Sequence, residues 1–111
     1  HSMNVHHLTL KTMSMFKIIF GNDDLQRINV ISNNEVSVDL HGLGTRASLT
    51  LVNNVINLNR GKCELSIIHG FHHGTALKDM INRRFTNHRI IGMKPVEGNP
   101  GVTVLECAAA N

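Results

Sequence analysis

The chain has 111 residues, a formal net charge of +3, 41% hydrophobic content and 4% aromatic content, with no Trp or Tyr. This length suffices for one domain with a real core but not for two. The scarcity of aromatics argues against a stacking platform for single-stranded nucleic acid, and no stretch approaches the ~18 consecutive apolar residues of a membrane span.

His1-Ser2-Met3 reads as a cloning remnant, and residues 4–34 as a flanking arm. Within the arm, Met13–Phe20 is apolar, Gly21-Asn22-Asp23-Asp24 is a turn signal, and Leu25–Ile31 is partly β-branched. A hairpin, or a short helix followed by a strand, both fit. Ser32-Asn33-Asn34 closes the arm as a turn. Regular patterning begins at Glu35. Val36–Leu40 is a short apolar strand, ending in His41-Gly42. A helix is predicted from about Arg46 to Arg60, with Leu51, Val52, Val55 and Leu58 along one face and Gly61 as a left-handed cap. Cys63–Ile68 is a second strand, apolar enough to be covered on both faces, and it ends in His69-Gly70. Thr75 caps a second helix that turns Ala76, Leu77, Met80, Ile81, Arg84 and Phe85 inward. Arg83, Arg84 and Arg89 cluster at its end, as a phosphate patch or as a complement to the helix dipole. Arg89–Met93 is a third strand, ending before Pro95. Gly98–Gly101 is a turn, and Val102–Cys107 is a last strand that must run antiparallel to its predecessor.

The order is therefore β-α-β-α-β-β on residues 35–107, a two-layer α/β domain with a mixed sheet, followed by a tail at 108–111. Cys63 and Cys107 have neither metal-type spacing nor the number for a disulfide framework. They read as free thiols of a reducing, cytoplasmic compartment.

Both His-Gly turns follow a strand and precede a helix, which puts them at one carboxyl edge of a parallel pair, the usual ligand edge of open α/β sheets. Asp39 and His41 are two apart and share a strand face. A phosphodiester lying there needs a proton acceptor, a proton donor and positive potential. His41 and His69 offer the proton transfers, and Asp39 can orient His41, bind a metal or act as base. The amides from Gly70 through Gly74 offer an anion site, and Lys94 adds charge from the third strand. The plainer reading makes Asp39 a turn former and His72 and His73 exposed loop residues. The spacing of His41, His69, His72 and His73 matches no zinc motif, so no metal site is expected among them.

Three segments together resemble the Smr domain, the small MutS-related module: Asp39-Leu40-His41-Gly42-Leu43; Ile67-Ile68-His69-Gly70 with Gly74 and Leu77; and Gly98-Asn99-Pro100-Gly101-Val102-Thr103-Val104. The resemblance covers about residues 36–107. It implies a fold like the C-terminal domain of bacterial translation initiation factor three, nucleic-acid binding, and endonuclease activity on RNA or DNA, in some members at ribosomes. On the matching positions it implies Asp39, His41 and His69 as catalytic residues. Gly42, Gly70, Phe71, His72, His73, Gly74 and Thr75 would be the nucleic-acid contacts, joined by Lys94 on the ground of its charge alone. No cofactor is firmly implied; a divalent metal such as magnesium suits DNA hydrolysis, whereas attack by an RNA 2′-hydroxyl needs none. One departure stands out. The family's second signature is close to His-Gly-x-Gly-x-Gly, and here His72 takes the middle glycine's place. A non-catalytic nucleic-acid- or ribosome-binding module is the alternative.

Overall fold

The computed structural model describes residues 22–70 and 74–110. A short helix, α1 (Asn22–Arg27), leads into β1 (Ile28–Ser32), β2 (Glu35–Asp39), α2 (Thr45–Leu58), β3 (Cys63–Ile68), α3 (Gly74–Asp79), a π-helical turn (Met80–Arg84), β4 (Ile90–Val96) and β5 (Asn99–Cys107). The five strands form one sheet in the order β1-β2-β3-β5-β4. β2 and β3 run parallel, in register from Glu35↔Glu64 to Asp39↔Ile68. β5 is antiparallel to both β3 and β4, and β1 is antiparallel to β2. The chain is thus an α/β domain with a mixed sheet.

Burial alternates along β2, β3 and β5. Val36, Val38, Leu65, Ile67 and Leu105 enter one core with Leu51, Val52, Val55 and Ile56 of α2 and with Leu77, Ile81 and Phe85. The expectation that β3 is covered on both faces is therefore corrected. Glu64, Ser66 and Ile68 are exposed or half-buried, and the strand alternates as one with a single packed face does.

Several boundaries also differ from the sequence reading. Residues 22–32 form the short helix followed by a strand that was one of the two expectations, but the strand pairs with β2, so the sheet begins before residue 35. Asp23 and Asp24, expected in a turn, sit in the first helical turn. α2 ends at Asn59, whose amide bonds to Val55 and Ile56 carbonyls, and Gly61 is not left-handed. Gly74 begins α3, so Thr75 lies inside the helix and not at its cap. The segment then widens into a π turn closed by the Phe85 amide on the Met80 carbonyl at 2.7 Å. Pro95 lies inside β4, and Asn99 and Pro100 begin β5. β4 is an edge strand, where one flank of the backbone has no ladder partner and proline is tolerated. Register breaks occur in the two edge pairs, between Val30 and Ser32, Ile90 and Gly92, and Pro95 and Val96.

Arg89 was expected in a surface basic cluster, but it is buried. Its guanidinium donates to the carbonyls of Ile56, Gly61 (2.9 Å) and Ala108 (2.9 Å), and its own carbonyl accepts from the Ala108 amide at 2.8 Å. It thereby joins the end of α2, the loop into β3 and the end of β5. Arg89→Ala would leave three carbonyls without this donor and should lower the unfolding free energy by ~3 kcal/mol. Urea denaturation checks this, and an unchanged midpoint would show that the guanidinium is dispensable.

Candidate functional site

The parallel pairing of β2 and β3 brings both His-Gly turns to one edge. The ladder continues past the strands through the Leu40 amide, which donates to the Ile68 carbonyl at 2.8 Å. The chain then turns through His41-Gly42, closed by the Leu43 amide on the Leu40 carbonyl at 2.9 Å. Gly42 has φ +82° and Gly70 has φ +74°, a region in which a side chain is strained and glycine is not. The repeated His-Gly dipeptide therefore marks two sharp exits from adjacent strands.

The two histidines occupy different environments. His41 is exposed, and its backbone is held from two sides. Asp39 Oδ1 accepts from the His41 amide at 2.9 Å, a local turn bond of the kind that favours aspartate there. Arg27 Nη1 donates to the Asp39 carbonyl at 3.0 Å and to the His41 carbonyl at 2.6 Å. Asp39 thus positions His41 through its main chain.

His69 is buried. Its Nδ1 lies 2.8 Å from the Gly70 carbonyl and its Nε2 lies 2.9 Å from Thr103 Oγ1. A carbonyl only accepts, so Nδ1 carries a proton; in the neutral ring Nε2 accepts from the Thr103 hydroxyl. The backbone around it is pinned as well. The amides of His69 and Gly70 both donate to the Gly101 carbonyl, at 2.9 and 3.0 Å. A Cβ on Gly101 would lie 3.3 Å from Gly70 Cα, so glycine at 101 permits the close approach of β5. His69 thus locks the second turn onto the last strand.

Phe71, His72 and His73 lie outside the described residues. The backbone of Gly74 and Thr75 forms the first turn of α3, after that segment. Lys94 does not direct its charge to the turns. Its Nζ lies 2.9 Å from Glu106 and 3.5 Å from Glu64. Glu35, Glu64 and Glu106 are lateral neighbours across the sheet, and opposed like charges destabilise a ladder. Lys94 neutralises part of that row. Among the described residues, no group of three His, Cys, Asp or Glu side chains is arranged to hold a metal ion.

Arg27 was not among the expected site residues. Its contact depends on the β1–β2 hairpin, which aligns Ile28 with Val38. Without that register nothing links Arg27 to Asp39. Arg46, exposed in the first turn of α2, also follows closely on the His41 turn.

No family model matches the chain, and no curated protein matches it significantly.

Two outcomes follow from these contacts. Thr103→Val removes the hydroxyl partner of a buried ring nitrogen and should cost ~1–2 kcal/mol of stability. If its denaturation curve overlaid that of the starting protein, the bond to His69 would carry no weight. The Lys94–Glu106 pair raises the pKa of Lys94 and lowers that of Glu106, in each case chiefly through their shared hydrogen bond. Because the folded pKa of Glu106 is depressed, its contribution is present above the ordinary carboxylate range and is lost as pH falls through the folded value. That of Lys94 persists until pH rises through its raised value. Lys94→Ala should therefore alter stability little, the pair being about half exposed, and should shallow its decline on the acid side. A pH series of thermal midpoints measures this.

Proposed function

We propose that this is an Smr-like nucleic-acid-binding domain that cleaves a phosphodiester of RNA or DNA at the edge formed by the two His-Gly turns. The observation that carries this reading is the pairing of these turns on neighbouring parallel strands, each with a left-handed glycine, one of them presenting an exposed histidine on a braced backbone. A fold like the C-terminal domain of translation initiation factor three belongs to the same proposal. The five-stranded mixed sheet supports the α/β class to which that fold belongs.

In this reading His41 is the proton-transfer residue. Imidazole titrates near neutral pH and serves as either acid or base. Asp39 and Arg27 fix the backbone from which it projects. Polyanion binding concentrates at the turn edge, because the open sheet face carries the Glu35, Glu64 and Glu106 row. If the reaction uses a magnesium ion, Asp39 is the carboxylate placed to hold it, in the sparse mode in which magnesium retains several waters. The ion would supply charge neutralisation at the phosphoryl oxygens.

A specific observation favours the second reading, a binding module without cleavage, whether on nucleic acid or on the ribosome. Both ring nitrogens of His69 are already engaged. That leaves one exposed histidine among the described turn residues, where the resemblance implies two.

The decisive experiment incubates purified protein with labelled RNA and DNA, with and without chelator, beside His41→Ala. Cleavage by the starting protein should fall ~10²–10⁴-fold in the variant, with binding held within a few-fold. Binding should weaken steadily as salt rises, because neutralised phosphates release counterions. Salt-sensitive binding without cleavage selects the second reading, and the absence of binding at low salt removes both.

A further inference from the structure

At the opposite end of the sheet from the two turns, Cys63 begins β3 and Cys107 ends β5, and the two are direct partners in the antiparallel ladder. Directly opposed residues in such a ladder have Cα atoms ~5.5 Å apart in a hydrogen-bonded pair and ~4.5 Å apart in the other kind. A disulfide spans Cα separations of ~4.4–6.8 Å, so either kind of pair meets the requirement. Opposed residues also point to the same face, and both cysteines are buried there as free thiols. Beside them lies Arg89, a buried cation bonded to the backbone carbonyls of Gly61, two residues before Cys63, and of Ala108, next to Cys107. A cleft of about 390 Å³ reaches this end of the sheet, and its walls include Asn34, Lys62, Ile91 and both cysteines.

We propose that Cys63 and Cys107 are a site of reversible oxidation by small hydroperoxides, closing an intrachain disulfide between β3 and β5. The bond from the Cys107 thiol, aided by Arg89 and opposed by burial, brings the pKa of Cys63 down to about 7, whereas Cys107 is pushed up by its bond to Cys63 and by burial. Cys63, the more accessible of the two at 4% against 1% exposed, is written as the thiolate that attacks. Its sulfur takes one oxygen of the peroxide, the O–O bond breaks, and hydroxide leaves, giving a sulfenic acid. The Cys107 sulfur then attacks the Cys63 sulfur and its proton leaves with the hydroxyl as water. Two thiols lose two electrons, and hydrogen peroxide is reduced to two waters. The new bond follows a register already present, so oxidation requires no repairing of the strands.

The test uses the full chain. Folded protein is treated with hydrogen peroxide, quenched, denatured and labelled with a maleimide, then digested for peptide mass mapping. Loss of both thiols together, a Cys63–Cys107 linked peptide from single chains, and recovery of both thiols with dithiothreitol are the expected results. Cys107→Ser should leave a sulfenic acid at Cys63 that dimedone traps. Retention of both thiols in the folded chain, at a peroxide dose that oxidises the unfolded chain, would overturn the proposal. Linkage between chains in place of within one would also overturn it. The unsubstituted protein decides the matter even if a serine variant fails to fold.

Discussion

The buried guanidinium of Arg89 is the interaction on which the far end of this fold depends. Parallel strands need a crossover, and the crossover returns α2 to the start of β3 through a loop whose carbonyls must find donors inside the protein. Arg89 supplies them, to Ile56 at the end of α2, to Gly61 in the loop and to Ala108 beyond β5. One side chain thereby fixes where β3 starts relative to where β5 ends. The register that follows carries to the other end of the sheet, where Leu40 pairs with Ile68 and Gly101 receives the two amides of the second turn. A cation at one end and a shared carbonyl at the other hold the strands that bear the histidines.

The two histidine turns look alike in sequence and differ in structure because of what stands beside each. β3 is flanked on both sides, by β2 and β5, so the residue after it is caught against Gly101 and Thr103. β2 is flanked by β3 and by the edge strand β1, and after the buried Leu40 the chain passes into solvent at His41, braced by Asp39 and Arg27. Position in the strand order, which no local motif encodes, separates an exposed histidine from a buried one.

Much of the central fold was legible from residue pattern. The strand beginning at Val36, the helix stripe at Leu51, Val52 and Val55, the strand from Cys63 to Ile68 and the antiparallel final pair all rest on periodicity and turn chemistry that local sequence carries. The two strand-ending His-Gly turns at one sheet edge were likewise legible, whereas the left-handed glycine expected at Gly61 is found instead at Gly42 and Gly70. What was not legible depends on contacts distant in sequence. Arg89 sits among helix-end basic residues and reads as exposed, because only the assembled core offers it carbonyls. Arg27 joins the site only through the hairpin register. Lys94 looked available until the row of glutamates brought together by three strands was seen to engage it. Pro95 reads as a strand terminator unless the strand is known to lie at an edge.

The register breaks in β1 and β4 bear on how this sheet behaves at high concentration. Ile31 and Ile91 are the two most exposed of the large hydrophobic side chains described, and each lies within such a break. An apolar residue on a flat, regular edge is an invitation to another chain's strand, because side-chain attraction and backbone pairing then act together. Here the two are set against each other: at Ile31 and Ile91 the backbone leaves the ladder, so a neighbouring molecule drawn to either side chain meets a misaligned row of amides and carbonyls. Pro95 further reduces the donors along β4. The domain can therefore carry greasy edge positions and still resist growing end to end into a cross-β aggregate.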